Sequence, residues 1–254
     1  MKLIAHGKTD KGLVRESNED EFCVEKTLGF LAVADGMGGH ASGEVASKMA
    51  IDIVRDYLRN EREPLSDKML LGIALANKAI YNASQSQSHL KGMGTTIAAV
   101  LFNGDRFSVA HVGDSRVYLI RGGTIEQITD DHTIVSEQVE RGLMTSEEAA
   151  QSNLRHILTR ALGIGPDVDV DRDELTVSNG DKLILCSDGL SELVSDEEIL
   201  SAVMTSRTPK IACDKLVDKA NQNGGGDNVT AVVAFLRREC FFSRILNILG
   251  FTRR

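Results

Sequence analysis

The chain of 254 residues contains no tryptophan, and aromatic residues make up only 4% of it. Its core must therefore be filled by Leu, Ile, Val and Ala. Three prolines stand against 23 glycines, a balance that points to many tight turns and few stiff linkers. Internal repeats and low-complexity stretches are absent, which excludes solenoid and fibrous architectures. Apolar runs such as IAAVLF fall far short of the roughly 20 residues a membrane helix needs. The start, MKLIAHGKTDKG, lacks the apolar stretch of a signal peptide, so a cytoplasmic location is expected.

Cysteine is sparse and scattered, at positions 23, 186, 213 and 240. No pair has the spacing of a zinc or dithiol redox site. A cysteine nucleophile acting on phosphoesters would need an arginine six residues downstream, where Gly29, Glu192, Lys219 and Leu246 stand instead. The cysteines are expected as small buried hydrophobes. Positive charge is also short: the net charge is −8, which argues against a nucleic-acid partner. The exception is the end of the chain, where residues 237–254 carry five arginines and one glutamate.

Apolar periodicity and turn signals organise the rest. A strand and turn are expected over roughly 2–12, strands over 21–25 and 29–34, and helices over 43–59 and 66–87. Val45, Met49, Ile53 and Leu58 are the expected buried face of the first helix. Residues 95–128 read as an antiparallel meander, with Asn103-Gly104 and Gly122-Gly123 as turns. Residues 133–165 break the pattern with short helical pieces and are expected to form a flap. A strand at 182–186, helices at about 196–205 and 209–222, and a last strand at 229–236 complete one domain over 1–237. The architecture expected is α+β, a layered sandwich. Residues 238–254 form a separate tail. Phe241, Phe242, Ile245, Leu246, Ile248 and Leu249 share one helical face there, suited either to packing on the domain or to weak contact with a membrane or partner.

The chemistry lies in a recurring pattern, an apolar strand ending in an acid followed by glycine or asparagine. It occurs at Asp35-Gly36, Asp188-Gly189 and Asp227-Asn228, with Asn18-Glu19-Asp20 leading into a strand. A lone Asp-Gly is an ordinary turn dipeptide. Several at strand ends place carboxylates on one sheet rim, where they repel unless a hard divalent cation joins them. Glycine after Asp35 lets the backbone approach such a cation, so the Gly36 carbonyl is a further candidate ligand.

These residues resemble the metal-dependent Ser/Thr protein phosphatase family, the protein phosphatase 2C-like group in its bacterial form. The resemblance spans about residues 4–237. It rests on D-x-G-x-V-R-x-x-N-E-D (Asp10 to Asp20), D-G-M-G-G-H-x-x-G-E (Asp35 to Glu44), G-T-T (Gly94 to Thr96) and H-V-G-D-S-R (His111 to Arg116). It continues through D-H-T (Asp131 to Thr133), L-T-R-A-L-G (Leu158 to Gly163), S-D-G-L (Ser187 to Leu190) and G-G-D-N-V-T (Gly225 to Thr230). The resemblance implies a four-layer α-β-β-α sandwich, two antiparallel sheets flanked by helix pairs. It implies two Mn²⁺ or Mg²⁺ ions sharing Asp35. Asp188 and Asp227 hold one ion. The Gly36 carbonyl holds the other, with Glu19 and Asp20 nearby directly or through water. Asp114 matches a ligand of a third, weaker ion, and Asn228 is expected to orient Asp227. Two such ions about 3.5–4 Å apart activate a water for in-line attack on phosphorus.

By the same resemblance Arg15 grips the substrate phosphate, its planar fork suiting phosphate oxygens. An ion pair between Arg15 and Glu19 is the plainer alternative. His40 is the candidate general acid. Animal members carry histidine directly after D-G, where this chain has Met37, so action through water or a purely structural role stays open for His40. His111 is expected as a structural strand residue and His132 as a loop anchor. The implied partners are phosphorylated proteins and an opposing Ser/Thr kinase. A catalytically silent binding module and a hydrolase of small phosphoesters are the competing functions. The intact acids argue against the first, and the flap argues against the second.

Overall fold

The central strands of this chain read as nearly unbroken apolar runs because both of their faces are buried. The computed structural model describes residues 2–38, 42–60 and 65–237. Strands run over Lys2–Asp10 (β1), Asp20–Glu25 (β2), Phe30–Met37 (β3), Gly94–Thr95 (β4), Ile97–Asn103 (β5) and Arg106–Val112 (β6). They continue over Arg116–Arg121 (β7), Thr124–Gln127 (β8), Asp171–Thr176 (β9), Lys182–Cys186 (β10) and Val229–Arg237 (β11). Helices span Ser42–Asn60 (α1), Leu65–Ser86 (α2), Ile134–Glu140 (α3), Ser146–Gln151 (α4), Asp188–Ser191 (α5), Asp196–Met204 (α6) and Pro209–Gln222 (α7).

The strands make two antiparallel sheets, ordered β1-β11-β10-β7-β8 and β2-β3-β5-β6-β9, with β4 added beside β3. Side-chain alternation sorts each strand between two apolar layers. In β3, Phe30, Ala32 and Ala34 pack towards α1 and α2, while Leu31 and Val33 pack between the sheets. In β11, Val229, Ala231, Val233 and Phe235 pack against the layer of α6 and α7, while Val232, Ala234 and Leu236 join the inner layer. The result is the α+β four-layer sandwich, with a helix pair on each outer face. Local signals start the outer helices. Ser195 and Glu198 form a capping box on α6, and Thr208 caps α7 ahead of Pro209.

Three expectations change. The meander over residues 95–128 does not exist, because β6 belongs to one sheet and β7 to the other. Gly113, Asp114 and Ser115 carry the chain across between them. Burial on both faces makes the two strands look alike in sequence, so periodicity cannot report the crossing. The buried face of α1 is Ala46, Ser47, Ala50, Ile51, Val54 and Leu58, whereas Val45 is 37% exposed. Small residues let the helix lie close on β3, so bulk was the wrong guide to its inner face. Strand β9 was not expected; it is a largely exposed, acidic edge strand without an apolar stripe. The tail over residues 238–254, with Cys240, lies outside the described residues. Cys23, Cys186 and Cys213 are free and buried.

Candidate metal centre

Strand register sets the first pair of acids. Asp20 at the start of β2 stands directly opposite Asp35 near the end of β3. Like charges in such a position destabilise a bare sheet. The second sheet delivers Asp188 just after β10 and Asp227 just before β11, neighbouring antiparallel strands whose ends meet at one rim. Neither Asp-Gly is a turn. Asp35-Gly36 lies within β3, and Asp188-Gly189 opens the short helix α5.

Cross-sheet hydrogen bonds lock the two rims together. Ser187 Oγ and Thr230 Oγ1 each donate to Asp20 Oδ2 at 2.7 Å. Asp20 Oδ1 and Asp188 Oδ1 are sealed from solvent with no hydrogen-bond partner among the described residues. An orphaned buried oxygen costs free energy unless something fills the gap. Burial pushes the Asp20 carboxyl up to about 7; the Thr230 and Ser187 hydroxyls oppose this, and Asp188 and Asp227 add to it. Asp35 is driven well above the ordinary carboxylate range by burial and then by Asp20, Asp188 and Asp114. Burial also raises Asp188, with Asp35 opposing the rise and Asp227 adding to it. The crossing between sheets brings in Asp114, pushed up to about 8 by burial and then by Asp188 and Asp131. These acids act as one cluster of a single sign.

Close backbone approach shapes the same rim. Gly36 N–H donates to Glu19 O at 3.1 Å. A Cβ on Gly36 would overlap the carbonyl oxygens of Gly43 and Glu19, and a Cβ on Gly43 would overlap the Glu19 carboxylate. Glu19 thus sits against the start of α1, its carboxyl raised by burial and lowered by nearby Arg15. Arg15 pairs with Asp227 rather than Glu19, its Nη2 lying 2.6 Å from Asp227 Oδ2. Asn228 reaches Asp227 through its backbone, and its side chain has further partners. Its backbone N–H donates to Asp227 Oδ1 at 2.7 Å, but its side chain clamps the loop before β2. Asn228 Oδ1 accepts from Glu19 N–H at 2.8 Å, and Nδ2 donates to the Lys11 and Ser17 carbonyls at 2.9 Å each. His40 lies outside the described residues.

A second polar cluster adjoins the crossing. His132 Nδ1 accepts from Gly113 N–H at 3.0 Å, and its Nε2 lies 3.2 Å from Asp171 Oδ2. Arg160 closes on Asp171 from the other side. His111 stacks on His132 with ring centroids 4.5 Å apart and bonds Asp130 O at 2.8 Å. Burial lowers both imidazoles, His132 to about 4. These two histidines with Asp171 are a possible cation group by proximity. Three of the four ring nitrogens already have partners, which makes it a finished network. The acidic rim is the unfinished one. Its all-oxygen donors, like charges and orphaned oxygens fit hard divalent cations.

A family model described as Protein phosphatase 2C matches residues 11–219, well over half of the chain. The chain belongs to the protein phosphatase 2C family. Serine/threonine protein phosphatase PstP of Mycobacterium tuberculosis is 43% identical over 230 residues, covering 89% of this chain and 44% of that protein. This chain therefore spans less than half the length of PstP. Serine/threonine phosphatase stp of Listeria monocytogenes is 36% identical over 239 residues, covering 91% of this chain and 95% of that protein. Among solved structures, the catalytic domain of PstP in complex with two manganese ions matches with a TM-score of 0.84 and 39% identity, covering 93% of this chain and all of that one.

Sequence reasoning within this family pattern missed several residues at the rim. Ser187 and Thr230 are the hydroxyl donors on Asp20, although S-D-G-L and D-N-V-T were both in view. Glu192 lies four residues after Asp188, so a helical reading of S-D-G-L-S-E would have put it on the same face. His156, which carried no signal in the sequence, meets it with Nδ1 2.7 Å from Glu192 Oε1. That contact joins the segment over 133–165 to the edge of the site. Asn77 of α2 fastens the segment's far end, accepting from Gly163 N–H at 2.8 Å and donating to the Gly165 and Pro166 carbonyls at 3.2 Å each.

Proposed function

We propose that the protein is a Mn²⁺- or Mg²⁺-dependent phosphatase acting on phosphoserine and phosphothreonine in proteins, working in the cytoplasm against a Ser/Thr kinase. The observation that carries this is the single-sign rim. Carboxylates from separate strand ends converge on it, and two of their oxygens are buried without a partner among the described residues. Asp35, Asp188 and Asp227, with the Gly36 carbonyl, would hold the two principal cations, and Asp20 and Glu19 would stand beside them. Asp114 would serve a third, weaker ion. When bound, such a pair supplies the Lewis acidity that turns a water into a nucleophile at neutral pH for in-line attack.

The chain's own residues supply binding and order. Arg15 makes one hydrogen bond, to Asp227, and its side chain is 55% exposed, so most of its fork is available to phosphate oxygens. Asn228 keeps the loop carrying Arg15 and Glu19 in register with the loop carrying Asp227. Thr230 and Ser187 hold Asp20 in one orientation, leaving its second oxygen towards the cluster. Proton delivery to the leaving oxygen falls to His40 on the family resemblance. The relatives' names support phosphorylated proteins as substrates.

The deciding experiment is release of phosphate from a phosphothreonine peptide by the full chain with Mn²⁺, against a chelator control. Turnover in the presence of metal and none with chelator is the expected outcome. Equal turnover in both would end the proposal.

A further inference from the structure

Single exposed aliphatic side chains are ordinary, but adjoining ones beside a polar site mark a contact surface. Leu13 and Val14 are each 69% exposed, and they are the only consecutive pair among the strongly exposed apolar side chains of the described residues. They directly precede Arg15, whose guanidinium rests on Asp227 at the rim of the carboxylate cluster.

The loop that shows them is tied down. Gly12 N–H donates to Asp10 Oδ1 at 2.9 Å, and Leu13 N–H donates to Gly225 O at 2.8 Å. Asn228 grips the Lys11 and Ser17 carbonyls on either side of the pair. Gly12 has φ +77, and a Cβ there would overlap the Asp227 carbonyl oxygen. A Cβ on Gly225 would lie 2.8 Å from Leu13 Cγ. The backbone is therefore laid closely against the loop that carries Asp227. The exposure belongs to the fold and is not a frayed end.

We infer that Leu13 and Val14 form an apolar ledge that receives the substrate side chain next to the phosphorylated residue, so that the site favours phosphopeptides with a leucine-like neighbour. This rests on the phosphatase reading above and adds a substrate preference to it. Continuity with the site selects this occupant. Both residues lie within two positions of Arg15, a span of about 7 Å in an extended chain. A peptide whose phosphate sits on Arg15 carries its neighbouring side chains over the same distance. The ledge is short and flanked by the charged Lys11, Arg15 and Glu16, which suits one apolar side chain of a peptide.

The test uses the full Mn²⁺-loaded chain and two phosphothreonine peptides that differ only in leucine or serine on both sides of the phosphoresidue. Wild type should favour the leucine peptide by about tenfold in kcat/KM, carried mainly by KM. The double variant L13S/V14S should lose that preference, and L13I/V14I should keep it. Equal kcat/KM for the two peptides in wild type, or a preference that survives L13S/V14S, would overturn the ledge while leaving the phosphatase assignment intact. Hydrolysis of neither peptide would bring down the phosphatase assignment, and the ledge with it.

Discussion

Two buried polar clusters lie side by side where the chain crosses between the sheets, and they differ in whether they are complete. Around His132, imidazole, guanidinium, carboxylate and backbone groups are matched donor to acceptor, from Gly113 N–H through to Arg160. Around Asp35, acids of one sign face one another, and two buried oxygens have no partner among the described residues. The first cluster needs nothing further and holds the fold. The second is held together by the fold at an electrostatic cost, and a bound cation would relieve it. Incompleteness, rather than burial or polarity, separates a candidate binding site from a structural network.

The largest expected effect breaks the incomplete cluster. D35A or D188A should lower Mn²⁺-supported phosphopeptide turnover by roughly a thousandfold or more, while circular dichroism reports a folded protein. The chelated form of D35N should melt no lower than chelated wild type, because an amide does not bear the cost of a buried carboxyl held away from its ordinary ionisation by burial and neighbouring acids; a large drop would contradict the crowded-acid account.

Breaking the complete cluster should do the opposite. H132A removes the acceptor for a buried Gly113 N–H and should cost about 1–3 kcal/mol in urea unfolding. Metal should not restore that loss, since it belongs to the paired network.

The two clusters should also respond oppositely to pH. Asp20 and Asp114 are raised to about 7 and about 8, so folded metal-free protein keeps protons that the unfolded chain releases above about pH 4. Its stability should therefore fall as pH rises through that window. His132 is lowered to about 4, so the unfolded chain takes up its proton first as pH drops below about 6.5, and stability falls in that direction too. Two raised acids outweigh one lowered imidazole, so with chelator the melting temperature is expected to fall gently from about pH 4 to 6.5 and more steeply above that, where the His132 contribution has ended, and Mn²⁺ should lift the alkaline side. A flat profile with chelator would refute the opposition.

The smallest effect should come from Asp114, at the margin of the acidic rim. D114N should reduce turnover by roughly tenfold, leave the tightest Mn²⁺ binding in place by calorimetry, and flatten the alkaline limb of the melting profile. Loss of all metal binding in this variant would move Asp114 to the centre of the site.

Much of this was legible because strand ends carry local signals. Asp35, Asp188 and Asp227 each follow or precede an apolar run, and the spacing of their motifs matches the family. Helix starts at Ser195 and Thr208 were visible for the same local reason. Other features were hidden because they depend on partners distant in the chain. The Asn228 side chain bonds backbone groups more than 200 residues away. The pairing of His156 with Glu192 needs the segment over 133–165 laid against α5, which no periodicity encodes. The inner face of α1 is set by how closely the helix can approach β3, and Ala46 and Ala50 decide that better than Val45.

Motif order by itself placed this chain with the protein phosphatase 2C family and an α+β fold, and strand-end chemistry by itself named the candidate acids. Tertiary structure alone decided which sheet each strand joined, because strands buried on both faces have the same apolar pattern whichever neighbour they take. It also decided which polar groups end up satisfied. Hydrogen-bond pairing depends on positions in space, and the chain order that brings Gly113 to His132 but leaves Asp20 Oδ1 without a partner cannot be read one segment at a time.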